Sequence, residues 1–197
     1  WDSFFGLSYP GWHLECSVIS EKYLGKSFDI HTGGIDHIRY HHENEIAQSK
    51  GHNGENPSNF WMHTEFLVID NEKMSKSLGN IYYVTDFINK GYSPIDFRYF
   101  VLTSNYRQKI NFTFQVLDSA HTSLKRLRLL YKEHNNANEL SEEENLKVDE
   151  NIKVWDEEFL KAINDDLNTA VALSVLWEAA RNEIKSKKIA KLIEKFD

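Results

Sequence analysis

Three side chains near the start of the chain have the types and spacing of metal ligands. They are Cys16, the only cysteine among 197 residues, and the pair His41 and Glu45. If residues 36–50 form a helix, a spacing of four places the His41 imidazole and the Glu45 carboxylate on one face, about one turn apart. A thiolate, an imidazole and a carboxylate are donors that zinc accepts together, and three protein ligands with one open position are typical of catalytic zinc.

Each of these residues also has a simpler interpretation. A single cysteine forms no internal disulfide framework, so Cys16 is a buried small hydrophobe, a nucleophile or a metal ligand. A histidine and a glutamate four positions apart often lie on a solvated helix face. Metal binding gains support from concentration, because four histidines and two glutamates fall within residues 31–45. His41 is a better ligand candidate than His42, which shares a face with Ile46 and is expected on the core side.

A second group with chemical potential is the segment from Lys73 to Ser77, which reads KMSKS and is followed by Gly79. Two lysines three positions apart, flanked by hydroxyl groups, make a cationic loop that can wrap a polyphosphate. The glycines that precede the lysine of a Walker loop are missing, so this is a different motif. A solvated loop without a ligand is the alternative.

Hydrophobic periodicity and turn residues predict the elements that position these groups. We expect strand and helix to alternate as far as about residue 103, which is typical of an α/β layered fold. The first predicted elements are a helix over 13–24 ended by Gly25 and a strand over 28–31 that leads into a turn at Thr32, Gly33 and Gly34. A helix N-capped by Asp36 follows and reaches about residue 50. After it we predict a strand over 65–70, a helix capped by Thr85 and ending at Lys90, and a helix from Pro94 to about Thr103. Further helices are expected over 114–134, 145–165 and 168–185, with a polar linker at 135–144.

Composition and charge restrict the class of protein. The chain is 41% hydrophobic and 27% charged, and no apolar run approaches the ~18 residues of a membrane-spanning helix. No signal-like N-terminus is present, so we expect a cytoplasmic protein without a membrane partner. A net charge of −7 argues against binding nucleic acid through general electrostatics, and such a partner must meet a local basic patch. Because the chain begins at Trp1 without a strand and glycine-rich turn, we expect it to belong to something longer.

Taken together, these motifs resemble a known family. The KMSKS segment matches the second signature of class I aminoacyl-tRNA synthetases letter for letter. Further segments, taken together, are similar to the cysteinyl-tRNA synthetase family, almost continuously to about residue 130 and more loosely beyond. They are GWHLECS at 11–17, FDIH at 28–31, the glycine pair at 33–34, Asp36, and HHENEIAQ at 41–48.

The resemblance implies a fold and a domain order. The fold class is α/β, as part of a class I synthetase Rossmann-like nucleotide-binding domain, followed by an α-helical bundle. Residues 1–80 then correspond to the C-terminal half of the catalytic domain with the KMSKS loop. Residues 81–138 correspond to stem-contact helices, and residues 139–197 to part of a helical tRNA-binding region.

The resemblance also implies an activity, a cysteine-tRNA ligase. It activates L-cysteine with ATP and Mg2+ to cysteinyl-adenylate and transfers the cysteine to tRNA(Cys), with one zinc ion recognising the substrate thiolate. We expect a monomer. The resemblance assigns Cys16, His41 and Glu45 as metal ligands, and Lys76 and Lys73 as catalytic and ATP-binding lysines. It also assigns Ser75, Gly34 and Asp36 as further ATP contacts, and Trp12 and His31 as residues that line the amino-acid pocket.

Two departures and two alternatives accompany this interpretation. The family's His-x-Gly-His signature and one further zinc cysteine are absent, so we expect the chain alone to be inactive and to bind zinc weakly. Thr32 stands where many members have glycine.

A ligase that passes cysteine to a small amine, as in mycothiol synthesis, is an alternative function. A zinc-stabilised helical interaction module is another, although it leaves the KMSKS loop unexplained. Lys125, Arg126 and Arg128 form either a tRNA-backbone contact or a solvated face.

Overall fold

A computed structural model describes residues 2–197 and divides into two compact units. Among these residues, the first unit runs from Asp2 to Phe66 and includes Tyr106–Lys109. The second unit consists of Leu67–Asn105 and Ile110–Asp197. The KMSKS segment therefore belongs to the second unit, whereas the predicted metal ligands belong to the first. The three predicted segments, 1–80, 81–138 and 139–197, remain predictions, because they are defined by family resemblance and not by compactness.

The first unit is built around one parallel pair of strands. Its elements in chain order are β1 (Asp2–Ser3), β2 (Gly6–Leu7), α1 (Trp12–Leu24), β3 (Phe28–Gly34), a 3-10 turn (Ile35–His37), a π turn (Ile38–His42), α2 (Glu43–Asn53) and β4 (Ser58–Thr64). Strands β1 and β2 form a short antiparallel hairpin. Strands β3 and β4 pair in parallel, with His31 opposite Trp61 and Gly33 opposite His63. The chain thus forms a βαβ unit, in which α2 connects two parallel strands.

The interior of the first unit is polar. Apart from Pro57, every buried aliphatic or aromatic side chain among residues 2–197 lies at or after Ile69. The buried polar residues of the first unit are His41, His42, Glu45, Ser49 and Ser58. The apolar positions of α1 that show helical spacing are exposed, including Val18 at 57% and Tyr23 at 73%.

The second unit holds a small sheet and most of the helices. Strand β5 (Leu67–Ile69) pairs antiparallel with β6 (Glu72–Lys73) and parallel with β7 (Ile110–Phe112). The helices are α3 (Val84–Asn89), α4 (Pro94–Leu102), α5 (Phe114–Asn135), α6 (Glu142–Asn164), α7 (Thr169–Ala180) and α8 (Lys187–Phe196). Their apolar faces form one core, centred on Phe112, Leu117, Val148, Ala179 and Ile189, which are each 0–1% exposed. None of the helices among residues 2–197 is both long and apolar enough to cross a membrane.

Helix boundaries follow the predicted caps in some places and depart from them in others. Helix α4 begins at Pro94 as predicted, and the Ser93 side chain accepts a hydrogen bond from the Ile95 N–H. The prediction that Thr85 caps α3 is wrong, because Tyr83 is the N-cap and Asp86 accepts its backbone N–H. The predicted helix over 168–185 ends at Ala180, and the following turn leads into the separate helix α8.

One buried histidine connects three of these helices. His134 in the last turn of α5 is fully buried, and its Nε2 lies 3.0 Å from the carbonyl oxygen of Ala180, at the end of α7. Its Nδ1 accepts the backbone N–H of Ser186, the N-cap of α8, at 3.1 Å. Because Nδ1 accepts, Nε2 carries the ring proton and donates to Ala180. Burial lowers the pKa of His134, so the ring is neutral in the folded chain.

We expect His134→Ala to lower the free energy of unfolding by about 2–4 kcal/mol, because it opens a cavity and leaves two backbone groups unpaired. Lys132→Ala on the exposed side of α5 is the control, with an expected change within about 0.5 kcal/mol. Urea titrations followed by circular dichroism measure both.

The stabilisation by His134 also depends on pH. Its folded pKa lies below its unfolded pKa, so the unfolded chain takes up the proton first. The stabilisation is therefore complete above the unfolded pKa of about 6.5 and is lost as the pH falls towards the folded pKa. The difference in stability between wild type and His134→Ala should shrink between pH 7.5 and pH 5. An equal difference at both pH values would contradict a neutral buried imidazole.

Candidate metal centre and lysine loop

Glu45 in α2 lies at the centre of the candidate site and is only 1% exposed. Its Oε1 lies 2.9 Å from His41 Nε2, and its Oε2 lies 3.5 Å from His31 Nε2. Neither carboxylate oxygen accepts a hydrogen bond of good geometry, and His31 Nδ1 is also buried without a partner. Buried carboxylate oxygens are nearly always satisfied in folded proteins, so this arrangement is suited to receive a cation.

Burial sets the protonation states of the surrounding groups. Burial raises the pKa of Glu45 to about 7. Burial, together with neighbouring imidazoles, lowers the pKa of His31 and of His41, and lowers that of His42 to about 4. These imidazoles are therefore neutral near pH 7, which is the form that binds metals. Burial and the nearby Glu45 carboxylate raise the pKa of the Cys16 thiol, and a bound cation favours the thiolate instead.

The structure brings the three predicted ligands together. Cys16, His41 and Glu45 offer donor atoms that all lie within 4.8 Å of one another. Cys16 comes from α1, His41 from the π turn and Glu45 from the first turn of α2. The Cys16 sulfur, a His41 nitrogen and an oxygen of the unsatisfied Glu45 carboxylate form a donor set that fits zinc. A tetrahedral zinc ion has room for one more ligand beside these three.

The sequence prediction misses a second donor group. His31, His42 and Glu45 also offer donor atoms within 4.8 Å of one another. His42 is buried at 3% exposure, which confirms that it faces inward. Its Nδ1 lies 2.7 Å from Nε2 of His63 on β4. His63 reaches this position because β4 pairs in parallel with β3. In the sequence, the only sign of this second group of donors was the high density of histidines in residues 31–42.

The two residues predicted to line the amino-acid pocket both border this cluster. Trp12 lies at the start of α1 with its ring centroid 4.2 Å from that of His41. Because Trp12 is 60% exposed, core packing does not account for it. The His31 ring stacks on Trp61, with centroids 4.6 Å apart and planes inclined by 28°.

The glycine pair allows the histidine cluster to approach the strand. Gly33 and Gly34 are the last residues of β3, so the predicted turn at 32–34 is wrong, because pairing with β4 continues to Gly34. A Cβ on Gly33 would lie 2.6 Å from His42 Cε1 and 2.9 Å from His37 Nδ1. These contacts are too close for any side chain larger than hydrogen unless the rings move.

Asp36 does not have the predicted capping role. The helical segment begins with the 3-10 turn at Ile35, so Asp36 already lies inside it and makes no capping hydrogen bond. Its exposed carboxylate folds back over the strand end, and a Cβ on Gly34 would lie 2.4 Å from Asp36 Oδ1. Gly34 thus leaves space for the Asp36 carboxylate, which remains free to bond a ligand hydroxyl.

In the second unit, the side-chain amide of Asn80 bridges the backbone of the KMSKS segment. Asn80 Oδ1 accepts the Ser75 N–H at 2.8 Å, and Asn80 Nδ2 donates to the Lys73 carbonyl oxygen at 3.1 Å. The Leu78 N–H donates to Ser75 Oγ at 3.3 Å. Lys73 and Lys76 are both exposed. The loop is therefore shaped by its backbone while both ammonium groups remain available to an anion.

These features define a class of protein. A parallel βαβ unit with a donor cluster at its strand end, in a chain that also carries a KMSKS loop, is the pattern of a class I aminoacyl-tRNA synthetase. Residues 1–122 match the family described as tRNA synthetases class I (C) catalytic domain, and residues 158–196 match the DALR domain. The chain belongs to this class I (C) tRNA synthetase family.

Curated relatives agree with the family match. Cysteine–tRNA ligase 1 of Burkholderia lata is 41% identical over the whole chain and 40% of its own length. The cysteine–tRNA ligase of Brachyspira hyodysenteriae is 44% identical over 90% of the chain and 38% of its own length. The chain therefore spans about two fifths of these relatives.

A solved structure supports the fold alone. A LeuRS from Agrobacterium radiobacter K84, crystallised as a ternary complex with tRNA and LeuAMS, superposes with a TM-score of 0.67. The match covers 85% of this chain and 25% of that chain, at 14% sequence identity. At this identity the comparison shows a shared α/β fold with a helical continuation.

We expect Gly33→Ala to destabilise the first unit by about 1–3 kcal/mol, because the added methyl group overpacks against His42 and His37. Gly51→Ala in α2 is a matched control, since a Cβ there meets nothing within 4 Å. It should stabilise the helix by about 0.5–1 kcal/mol. Denaturant titrations of the two variants measure the difference, and equal stability would show that the rings rearrange freely.

Proposed function

We propose that this chain supplies the metal centre, the KMSKS loop and part of the tRNA-binding helices of a cysteine-tRNA ligase. One observation carries the proposal. Cys16 and His41 converge on the buried carboxylate of Glu45, whose oxygens have no hydrogen-bond partners. The substrates are L-cysteine, ATP with Mg2+, and tRNA(Cys). The enzyme acts in the cytoplasm as a monomer.

The metal centre recognises the amino acid. Cysteine and serine differ by sulfur for oxygen, and shape alone distinguishes them poorly. Cys16, His41 and Glu45 would hold the zinc ion, which would supply a preference for a soft thiolate over a hydroxyl. Trp12 and His31 border the same cluster and limit the space available to the substrate side chain. Selectivity for cysteine then needs no separate editing site.

The chain's remaining site residues serve activation by ATP. The cysteine carboxylate attacks the α-phosphorus, which forms the adenylate and releases pyrophosphate. Lys76 and Lys73 neutralise negative charge that develops on the pyrophosphate, and Ser75 contributes a hydroxyl on the same loop. Gly34 lets the backbone approach the adenosine, and the exposed Asp36 carboxylate accepts hydrogen bonds from ribose hydroxyls.

Lys76→Ala should lower cysteine-dependent exchange of pyrophosphate into ATP by about 100-fold or more, because one charge stabiliser of the transition state is lost. The experiment uses a chimera in which this chain replaces the matching region of the Burkholderia lata relative. Lys50→Ala, an exposed lysine in the last turn of α2, is the control and should leave the exchange unchanged.

The same chimera tests the proposed activity as a whole. Exchange with cysteine but not serine, followed by charging of tRNA(Cys), is the expected result. Exchange without charging would favour transfer of cysteine to a small amine. Unaltered exchange in Lys76→Ala would rule out the role of that lysine.

The double variant Lys125→Ala/Arg128→Ala should raise the KM for tRNA while leaving pyrophosphate exchange unchanged. The two residues are exposed on α5 three positions apart, so they share a face and can follow a phosphate backbone. Each lost phosphate contact should lower the salt dependence of binding by roughly 0.7–0.9 in log–log slope. Lys153→Ala/Lys161→Ala on α6 is the charge-matched control, and an equal effect of both variants would indicate general electrostatics.

A further inference from the structure

Asn80 follows the KMSKS segment by three positions, and its side-chain amide reaches back across the loop. Its Nδ2 donates to the carbonyl oxygen of Lys73 and its Oδ1 accepts the N–H of Ser75. A backbone carbonyl only accepts and a backbone N–H only donates, so these two partners fix the orientation of the amide. We infer that Asn80 is a positioning residue for amino-acid activation, because its amide holds the backbone that carries Lys73 and Lys76 for contact with the phosphates of ATP. The inference rests on the proposed function and adds to it a residue outside the KMSKS motif.

The amide connects the loop to the small sheet of the second unit. Lys73 is the last residue of β6 and lies opposite Val68 of β5 in the strand register. Ser75 comes directly before a turn over residues 76–79. The two hydrogen bonds of Asn80, at 3.1 Å to Lys73 and 2.8 Å to Ser75, therefore tie the start of this turn to the end of a paired strand.

The rest of the loop is arranged so that its apolar and cationic side chains separate. Met74, between the two bonded residues, is half-buried and packs against the hydrophobic core of the second unit. The carbonyl oxygen of Lys76 accepts the Gly79 N–H at 3.1 Å, in a turn that Gly79 completes with a φ of 65°. The backbone at Lys73 and at Lys76 thus has hydrogen-bond partners, while both lysine side chains are exposed.

A fixed backbone matters because the two lysines act by charge alone. A lysine ammonium is a compact point charge on a flexible stem, so the backbone determines the region that it can reach. Charges placed before the reaction stabilise the transition state without reorganisation at the moment of reaction. A loop that must instead be ordered when ATP binds loses conformational entropy at every residue fixed. Loss of the Asn80 amide should therefore reduce the rate of activation more than the affinity for ATP.

Pyrophosphate exchange in the chimera with the Burkholderia lata relative tests the inference. We expect Asn80→Ala to lower kcat of the cysteine-dependent exchange by about 10- to 100-fold, with the KM for ATP changed by less than about 2-fold. Asn80→Asp keeps the size of the side chain and an acceptor for Ser75, but it has no donor for the Lys73 carbonyl oxygen. Asn80→Asp should therefore also lose about 10-fold or more in kcat. Asn89→Ala, at an exposed asparagine that ends α3, is the matched control and should leave the exchange unchanged.

A double-mutant cycle with Lys76 separates positioning from general destabilisation. A residue that acts through Lys76 loses most of its effect once the ammonium group of Lys76 is removed. Asn80→Ala in the Lys76→Ala background should therefore lower kcat by less than about 3-fold. Unchanged exchange in Asn80→Ala, or the same fold loss in both backgrounds, would overturn the inference.

Amide hydrogen exchange of the 197-residue chain gives a readout that does not depend on catalysis. We expect Asn80→Ala to speed hydrogen exchange in the segment 73–79 by about 10-fold or more, with residues 170–180 of α7 unchanged. Unaltered hydrogen exchange in the loop would show that the amide does not hold it and would overturn the inference. Absence of pyrophosphate exchange in the unmutated chimera would instead contradict the proposed function, whereas the loop amides would still decide whether Asn80 fixes the loop.

Discussion

The first unit is organised around the contacts between the buried carboxylate of Glu45 and the imidazoles of His31 and His41. A carboxylate removed from water costs several kcal/mol unless protons, hydrogen bonds or cations compensate it. Here the groups that approach it are imidazoles from β3 and from the turn before α2. Residues of β3 and of the turn before α2 thus meet at this carboxylate, and burial raises its pKa to about 7.

The two units are stabilised by different physical means. The second unit buries a continuous apolar core contributed by its sheet and helices, which is the ordinary source of folding free energy. The first unit buries polar groups, and large apolar side chains such as Phe4, Phe5 and Tyr9 are 84–91% exposed. Its two-stranded parallel sheet is held by backbone pairing and by contacts within the histidine cluster, without a buried apolar core of its own.

The backbone of the lysine loop is fixed by hydrogen bonds that do not involve its lysine side chains. Asn80 bonds the backbone on both sides of Met74, which leaves the Lys73 and Lys76 side chains outside the bonded ring. Lysine ammonium groups are strongly hydrated and act as mobile point charges. A loop of this construction has a defined backbone and adaptable charge, which suits a ligand whose negative charge moves during reaction.

The sequence alone determined the α/β class, the extents of α1, α4 and α5, and the trio Cys16, His41 and Glu45. These features depend on local periodicity, on caps next to the helices, and on motifs whose residues are near one another in the chain. The i, i+4 relation of His41 and Glu45 survives although a π turn precedes α2, because both lie within one turn of the helical segment.

Only the tertiary structure decided that β3 continues through Gly34, that His63 meets His42, and that Glu45 serves two donor groups. Each of these depends on the register between β3 and β4, which are separated by the whole of α2. A shift of one residue in that register reverses the face on which every side chain lies, and no local pattern specifies it. The residues of the site were readable from the sequence, whereas their partners were set by strand pairing.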